Sequence, residues 1–189
     1  VKNGDFLLFS DIPRNKVYKW KDGEGASLYL DSSGYIGTEM PKNEPGSNGL
    51  LIDHQGKLVL CQHGMRRVAR MDADVSSPAP VYSVIVDRYE GKRLNSPNDA
   101  AVHSNGDIYF TDPPYGLDQR NRDSAMEQPV HGVYRVKPDG AIDLLTGEFD
   151  YPNGIAFSPD EQYLYVAHSD PENMKWMKYK LNEQGTIAE

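Results

Sequence analysis

Three asparagines carry the residue types that could do chemistry. Asn48, Asn98 and Asn153 stand 50 and 55 residues apart, and each opens a short apolar run. Asn48-Gly49 leads into Leu50-Leu51-Ile52, Asn98-Asp99 into Ala100-Ala101-Val102, and Asn153-Gly154 into Ile155-Ala156-Phe157. A side-chain amide oxygen is a neutral, hard donor. Hard cations such as Ca²⁺ take about six to eight oxygens from amides, carboxylates and water. Two amides alone make a weak site, and a complete one needs carboxylates. The competing reading is local. Asn-Gly tolerates positive φ and is a strong hairpin signal, so Asn48-Gly49 and Asn153-Gly154 also read as plain turns. Asn98-Asp99 lacks the glycine and is less turn-like.

The elements around these residues repeat with them. Each run meets a turn (Asp53-His54-Gln55-Gly56, His103-Ser104-Asn105-Gly106, Ser158-Pro159-Asp160-Glu161) and then a second run. The second runs are Leu58 to Gln62, Ile108 to Asp112 and Tyr163 to His168. Third strands are expected at Arg66 to Met71, which alternates and reads as more exposed, at Gly132 to Val136, and at Lys175 to Leu181. Fourth strands are expected at Tyr82 to Val86 and Ala141 to Leu145. Before Asn48, Phe6 to Asp11, Val17 to Trp20 and Ala26 to Leu30 make one more unit, lacking its first strand. Glu161 to Ala167 fits a helical window, but its alternating Tyr, Val and Leu favour a strand.

Four short strands per unit at a period near 50 are the signature of β-propeller blades. The fold class is all-β. One domain, 1-189, is expected, with blade portions at about 1-40, 48-90, 98-146 and 153-189. An immunoglobulin-like sandwich gives short strands at even spacing but no such period. The chain opens after a first strand and stops as a fourth begins, so an incomplete portion of about four blades of a longer propeller is expected; an open ring would leave unpaired edges. In a propeller the inner strands line a central channel, and equivalent positions point at one axial spot. Asn98 and Asn153 are thereby expected to converge.

The totals set limits. The 189 residues are 38% hydrophobic and 25% charged, enough apolar material for a core. No run of about 18 apolar residues exists, so no membrane-spanning helix is read. A net charge of −8 with no basic cluster disfavours nucleic acid and anionic membranes as partners. Cys61, the one cysteine, sits in an apolar run and reads as a small buried hydrophobe. No signal peptide is visible and no initiator Met is present; cytoplasm and periplasm both stay open.

Other polar positions read as follows. Asp11, Gln62, Asp112 and His168 share one column at the end of the second strand. Their varied types argue for strand-end hydrogen bonding rather than a shared ligand role. His63, near Arg66 and Arg67, faces either a substrate pocket or a structural polar contact. Tyr115, in the long loop from Pro113 to Val130, is a candidate pocket wall, because such loops often carry specificity. No Ser stands in a G-x-S-x-G elbow and no His pair has zinc-motif spacing.

The segments "LLFSDIPRNKVYKW", "GSNGLLIDHQGKLVLCQHGMRRVAR", "DRYEGKRLNSPNDAAVHSNGDIYFTDPPYGL" and "YPNGIAFSPDEQYLYVAHSD" resemble the gluconolactonase-like, or senescence-marker-protein-30-like, six-bladed propellers. The resemblance implies a hydrolase that opens a sugar lactone, a small-molecule substrate, and a divalent cation held in the channel. That cation is usually Ca²⁺, with Zn²⁺, Mn²⁺ or Mg²⁺ as substitutes. It implies Asn153 as a metal ligand and Asn98 as a ligand or substrate contact. It places a further ligand, a glutamate, before Val1. An aspartate that is ligand and general base falls beyond Glu189, so no catalytic residue is expected within the chain. An arginine that some members carry two residues before the Asn98 position is Ser96 here, so sugar contacts need not match. The implied mechanism uses the ion as Lewis acid on the carbonyl and the carboxylate as base. A phosphotriester hydrolase on the same scaffold and a non-catalytic binding propeller are the alternatives.

Overall fold

A computed structural model describes residues 1–188. They form four antiparallel meander sheets in sequence order and one two-stranded hairpin. The first contains β1 (Lys2–Asn3), β2 (Phe6–Asp11), β3 (Lys16–Lys21) and β4 (Gly25–Asp31). The second contains β5 (Ser47–Ile52), β6 (Leu58–Gln62), β7 (Arg67–Met71) and β8 (Tyr82–Val86). A small hairpin follows, β9 (Arg88–Tyr89) and β10 (Lys92–Arg93). The third sheet has β11 (Ala100–Val102), β12 (Ile108–Thr111), β13 (His131–Val136) and β14 (Ile142–Phe149). The fourth has β15 (Pro152–Phe157), β16 (Tyr163–His168) and β17 (Lys175–Lys180), and a single bridge joins Leu181 to Ile187. These are four consecutive blades of a β-propeller. Helical structure among the described residues is limited to 3-10 turns at Ile12–Arg14 and Arg120–Arg122.

Strand alternation explains how the blades stack. Along β6, Leu58 and Leu60 face the first blade, where they pack with Leu8, Val17 and Leu30. Val59 and Cys61 face the third blade and meet Ile108, Phe110 and Tyr134. Along β12, Tyr109 turns the other way and packs with Ile155, Leu164 and Val166 of the fourth blade. A strand buried on both faces must be apolar at every position, and Leu58 to Cys61 is. The protein thus has a core layer between each pair of neighbouring blades.

Three expectations from sequence are corrected. The first unit does not lack an inner strand: Lys2 and Asn3 pair with Leu7 and Phe6 across a turn at Gly4, which has φ of +61°. The third strand of the second blade is not the more exposed one: Arg67, Val68, Ala69 and Met71 are all buried. Its arginines are tolerated because both are paired. Arg67 Nε donates to Gln62 Oε1 at 2.6 Å, and Arg70 Nε to Asp53 Oδ2 at 2.6 Å. Finally, the Asn-Gly pairs are not turns. Asn48-Gly49 lies inside β5 and Asn153-Gly154 inside β15, each in a bulge where the pairing register shifts by one residue. A bulge bends the strand and re-aims a side chain.

Gly49 is where inner strands come closest. A methyl there would lie 2.8 Å from the Asn98 carbonyl oxygen and 2.8 Å from Asp99 Cα, both backbone atoms that cannot give way. Its counterpart Gly154 has its nearest neighbours at 3.8 and 3.9 Å, ordinary contact. Gly49→Ala is therefore expected to destabilise the fold by about 1–3 kcal/mol as an overpacking change. Gly154→Ala is expected to stay within about 0.5 kcal/mol of the parent. Urea midpoints of the two variants check the contrast.

Candidate functional site

One threonine ties two asparagines together. Asn98 N donates to Thr111 O at 2.8 Å, and Thr111 Oγ1 donates to Asn153 O at 2.7 Å. The same device joins the first two blades, where Ser10 Oγ donates to Asn48 O at 2.7 Å. Between the second and third blades, where Cys61 occupies that column, Gly49 N donates to Asn98 O at 2.6 Å instead. Asp99 adds a clamp: its Oδ2 accepts from Ile155 N at 3.1 Å and its Oδ1 from Ala100 N at 2.9 Å. Burial pushes the Asp99 carboxyl above its ordinary value, and those two backbone bonds partly offset the rise.

Side chains gather around this seam. The Asn98 amide is buried, with Nδ2 3.4 Å from His63 Nε2. His63 is fully enclosed and lies under Gly116, where a methyl would come within 2.6 Å of the His63 Cβ and 2.8 Å of the Ser96 Cβ. Ser96 pins that loop, donating to Pro113 O at 2.5 Å and accepting from Gly116 N at 2.9 Å. The next residue back, Tyr115, stacks on Tyr151 at 6.0 Å and touches the side chains of Asn153 and Ser169. Burial raises the Tyr115 phenol, and the neighbouring polar side chains of Asn153 and Ser169 work against the rise. Of the four residues singled out in the sequence, Tyr115 lies in the Pro113 to Gly116 loop, His63 lies beneath it, Asn98 meets His63, and Asn153 lies beside Tyr115.

Sequence reasoning missed three residues here. Ser96 read only as the absence of an arginine, yet it holds the loop. Glu44, in an irregular segment, brings Oε2 to 3.1 Å from His63 Nδ1. Arg66, with a left-handed φ of +58°, threads its buried guanidinium between loops and donates to Leu94 O, Asn95 O and Ala125 O. The positive φ of a non-glycine residue is legible only in coordinates.

The column at the strand ends is a hydrogen-bonding column. Gln62 Nε2 donates to Ser33 O at 2.7 Å, and Asp112 Oδ2 accepts from Asn95 N at 2.7 Å. His168 meets Asn173 O through Nδ1 at 3.1 Å and Asp150 N through Nε2 at 3.3 Å. Among the described residues, Asp150, His168 and Asp170 are the group whose His and carboxylate atoms lie within 4.8 Å of one another. The carbonyl partner puts the proton on Nδ1 and leaves the Nε2 lone pair to Asp150 N–H, so a cation there would have to displace that bond. The broad groove lined by Asp53, His54, Arg70 and Lys137 opens at the opposite strand ends, away from the asparagines.

Asp112 is fully buried, and its Oδ1 has no hydrogen-bond partner. Burial raises its carboxyl from 3.8 to about 7, against backbone bonds from Asn95 and Ser96 that lower it. Between those two values the native state holds more protons than the unfolded one, so this group's stabilising contribution is full below the lower value and is lost as pH rises through about 7. Asp112→Asn should remove that slope. The variant is expected to gain stability relative to the parent as pH is raised from about 4 to about 8, read from paired urea titrations.

Comparison with known proteins places this geometry among relatives. A match to the SMP-30/Gluconolactonase/LRE-like region spans residues 1–189. A gluconolactonase of Zymomonas mobilis is 42% identical over 188 residues, covering 98% of this chain and 51% of its own length. A solved gluconolactonase structure from Xanthomonas campestris superposes with a TM-score of 0.80 at 36% identity, covering 97% of this chain and 57% of that one. A second solved structure, described as a putative gluconolactonase, gives 0.78 at 32% identity, covering 96% and 57%. The chain spans about half the length of the curated relative it matches over nearly its whole extent.

Proposed function

The chain belongs to the SMP-30/gluconolactonase/LRE-like family, and from that premise we propose that it forms part of a metal-assisted lactonase acting on a sugar 1,5-lactone or a similar small cyclic ester. The observation that supports the reading is the Thr111 seam, which brings Asn98 and Asn153 from 55 residues apart onto neighbouring inner strands. A turn role for Asn153 is gone, since it lies within a strand.

The donor chemistry suits a hard divalent ion. Asn98 and Asn153 would hold it through neutral amide oxygens, as part of a larger oxygen set that includes carboxylates. Ca²⁺ fits such a set best; Mg²⁺, Mn²⁺ and Zn²⁺ are the substitutes. When bound, the ion would polarise the lactone carbonyl and ease ionisation of water. Everything else falls to side chains. Asn98 and Asn153 orient ring oxygens of the substrate. Tyr115, flat against Tyr151, forms an apolar wall that excludes water from one side. His63 supports Asn98 from below. Hydrolysis adds water to the carbonyl carbon and breaks its bond to the ring oxygen, which leaves as the hydroxyl of the open-chain acid. A carboxylate base is not assigned to any residue of this chain.

Proton release from gluconolactone by the full-length protein tests the proposal. Chelation is expected to abolish the rate and added Ca²⁺ to restore it. A rate indifferent to chelator would sink the metal reading, and no hydrolysis by metal-replete protein would sink the lactonase reading. Asn153→Ala should lower metal affinity and activity together, each by roughly tenfold or more. Calorimetric titration with Ca²⁺ alongside kcat/KM measures both.

A further inference from the structure

Glu44 sits in a segment held from both sides. Before it, Lys42 N donates to Asp118 Oδ1 at 2.9 Å and Asn43 Nδ2 to Asp118 O at 2.7 Å. After it, His63 N donates to Gly46 O at 3.2 Å and Gly64 N to Pro45 O at 3.3 Å. Gly64 is needed for that approach, because a methyl there would meet Pro45 O at 2.6 Å. The backbone on either side of Glu44 is therefore tethered, and its carboxylate is delivered to within 3.1 Å of His63 Nδ1. The contact is one of charge and proximity rather than an aligned hydrogen bond, and Nδ1 makes no hydrogen bond to any group. On the other side of the ring, Nε2 is 3.4 Å from Asn98 Nδ2.

Donor and acceptor complementarity orders this row. A carboxylate 3.1 Å away attracts the positive N–H end and repels a lone pair, so Glu44 favours the proton on Nδ1. Nε2 is then left as an acceptor, and the Asn98 group that can serve it is the NH₂. The amide oxygen of Asn98 must then point away from His63. Had the proton been on Nε2, the amide would turn over and present its oxygen to the histidine instead. Only the first arrangement leaves the oxygen free for a cation. Resting on the site proposed above, we infer that Glu44 is a positioning residue: it fixes the His63 tautomer, and through it the direction in which the Asn98 oxygen faces. Partners of this kind typically govern metal affinity or activity by about 10- to 100-fold.

The test reads the tautomer directly. Long-range ¹H–¹⁵N spectra of the full chain, with ¹⁵N-labelled histidine and His63→Gln to identify the resonance, should show the proton on Nδ1. In Glu44→Ala the Nδ1–H form should give way to a mixture. Ca²⁺ affinity in the same variant should fall about 10- to 100-fold, with kcat/KM for gluconolactone following it. Glu44→Gln keeps an acceptor and should recover part of the loss. Glu44 is a surface side chain, 30% exposed, so the variants are expected to fold. A proton on Nε2 in the parent, or a tautomer unchanged in Glu44→Ala, overturns the inference. If the tautomer follows Glu44 while no variant, parent included, hydrolyses lactone, the lactonase reading fails and the positioning role stands.

Discussion

Thr111 sets the height at which two inner strands meet, and the surroundings of both asparagines follow from it. Its carbonyl takes the Asn98 N–H and its hydroxyl reaches the Asn153 carbonyl. Inner strands of neighbouring blades have no sheet ladder between them, so single bonds such as these decide their relative register. Ser10 does the same for Asn48. Cys61, in the equivalent place, offers only a thiol, a weak donor, and there the strands close through Gly49 N–H instead. The glycine is what allows that closer approach. The column therefore alternates between a hydroxyl that bridges and a glycine that lets backbone touch backbone.

A second constraint is burial on both sides. Interior blades are covered by neighbours on each face, so polar groups within them must find partners inside the fold. Arg67 and Arg70 reach Gln62 and Asp53, and Arg66 reaches three carbonyls. Some atoms are left over: Arg66 and Arg67 each keep one enclosed nitrogen without a partner, and one oxygen of Asp112 is enclosed and unpaired, its carboxyl held high by burial. Polar groups gather at the strand ends near the asparagines, while β6 is apolar along most of its length. The asparagine end gathers His63, Asn98, Tyr115 and Asn153, and the packed strands beneath support it. The Pro113 to Gly116 loop lies over the asparagine end, with Ser96 pinning it and Tyr115 stacked on Tyr151.

Much was legible before any coordinates. The spacing of Asn48, Asn98 and Asn153 carries the period of the blade, because each blade must restart with the same inner strand. Short unbroken apolar runs bounded by turn residues carry the assignments of β6 and β12, since both signals are local. Those features depend on neighbours in the chain, and composition along the chain records them. The exposure of β7 was misread for the same reason: alternating arginines look solvated until the partners that bury them are known.

What only tertiary structure decided is every relation across blades. Asn-Gly in isolation is the same dipeptide in a turn and in a bulge; the register of β5 against β6 and of β15 against β16 separates the two. The row from Glu44 through His63 to Asn98 joins positions 44, 63 and 98, and no spacing rule links them. The sequence by itself determined that units of about 50 residues repeat and that three of them begin at an asparagine. Which side chains meet at those beginnings was decided by how the blades stack, because contacts between distant segments depend on packing geometry that residue order does not encode locally.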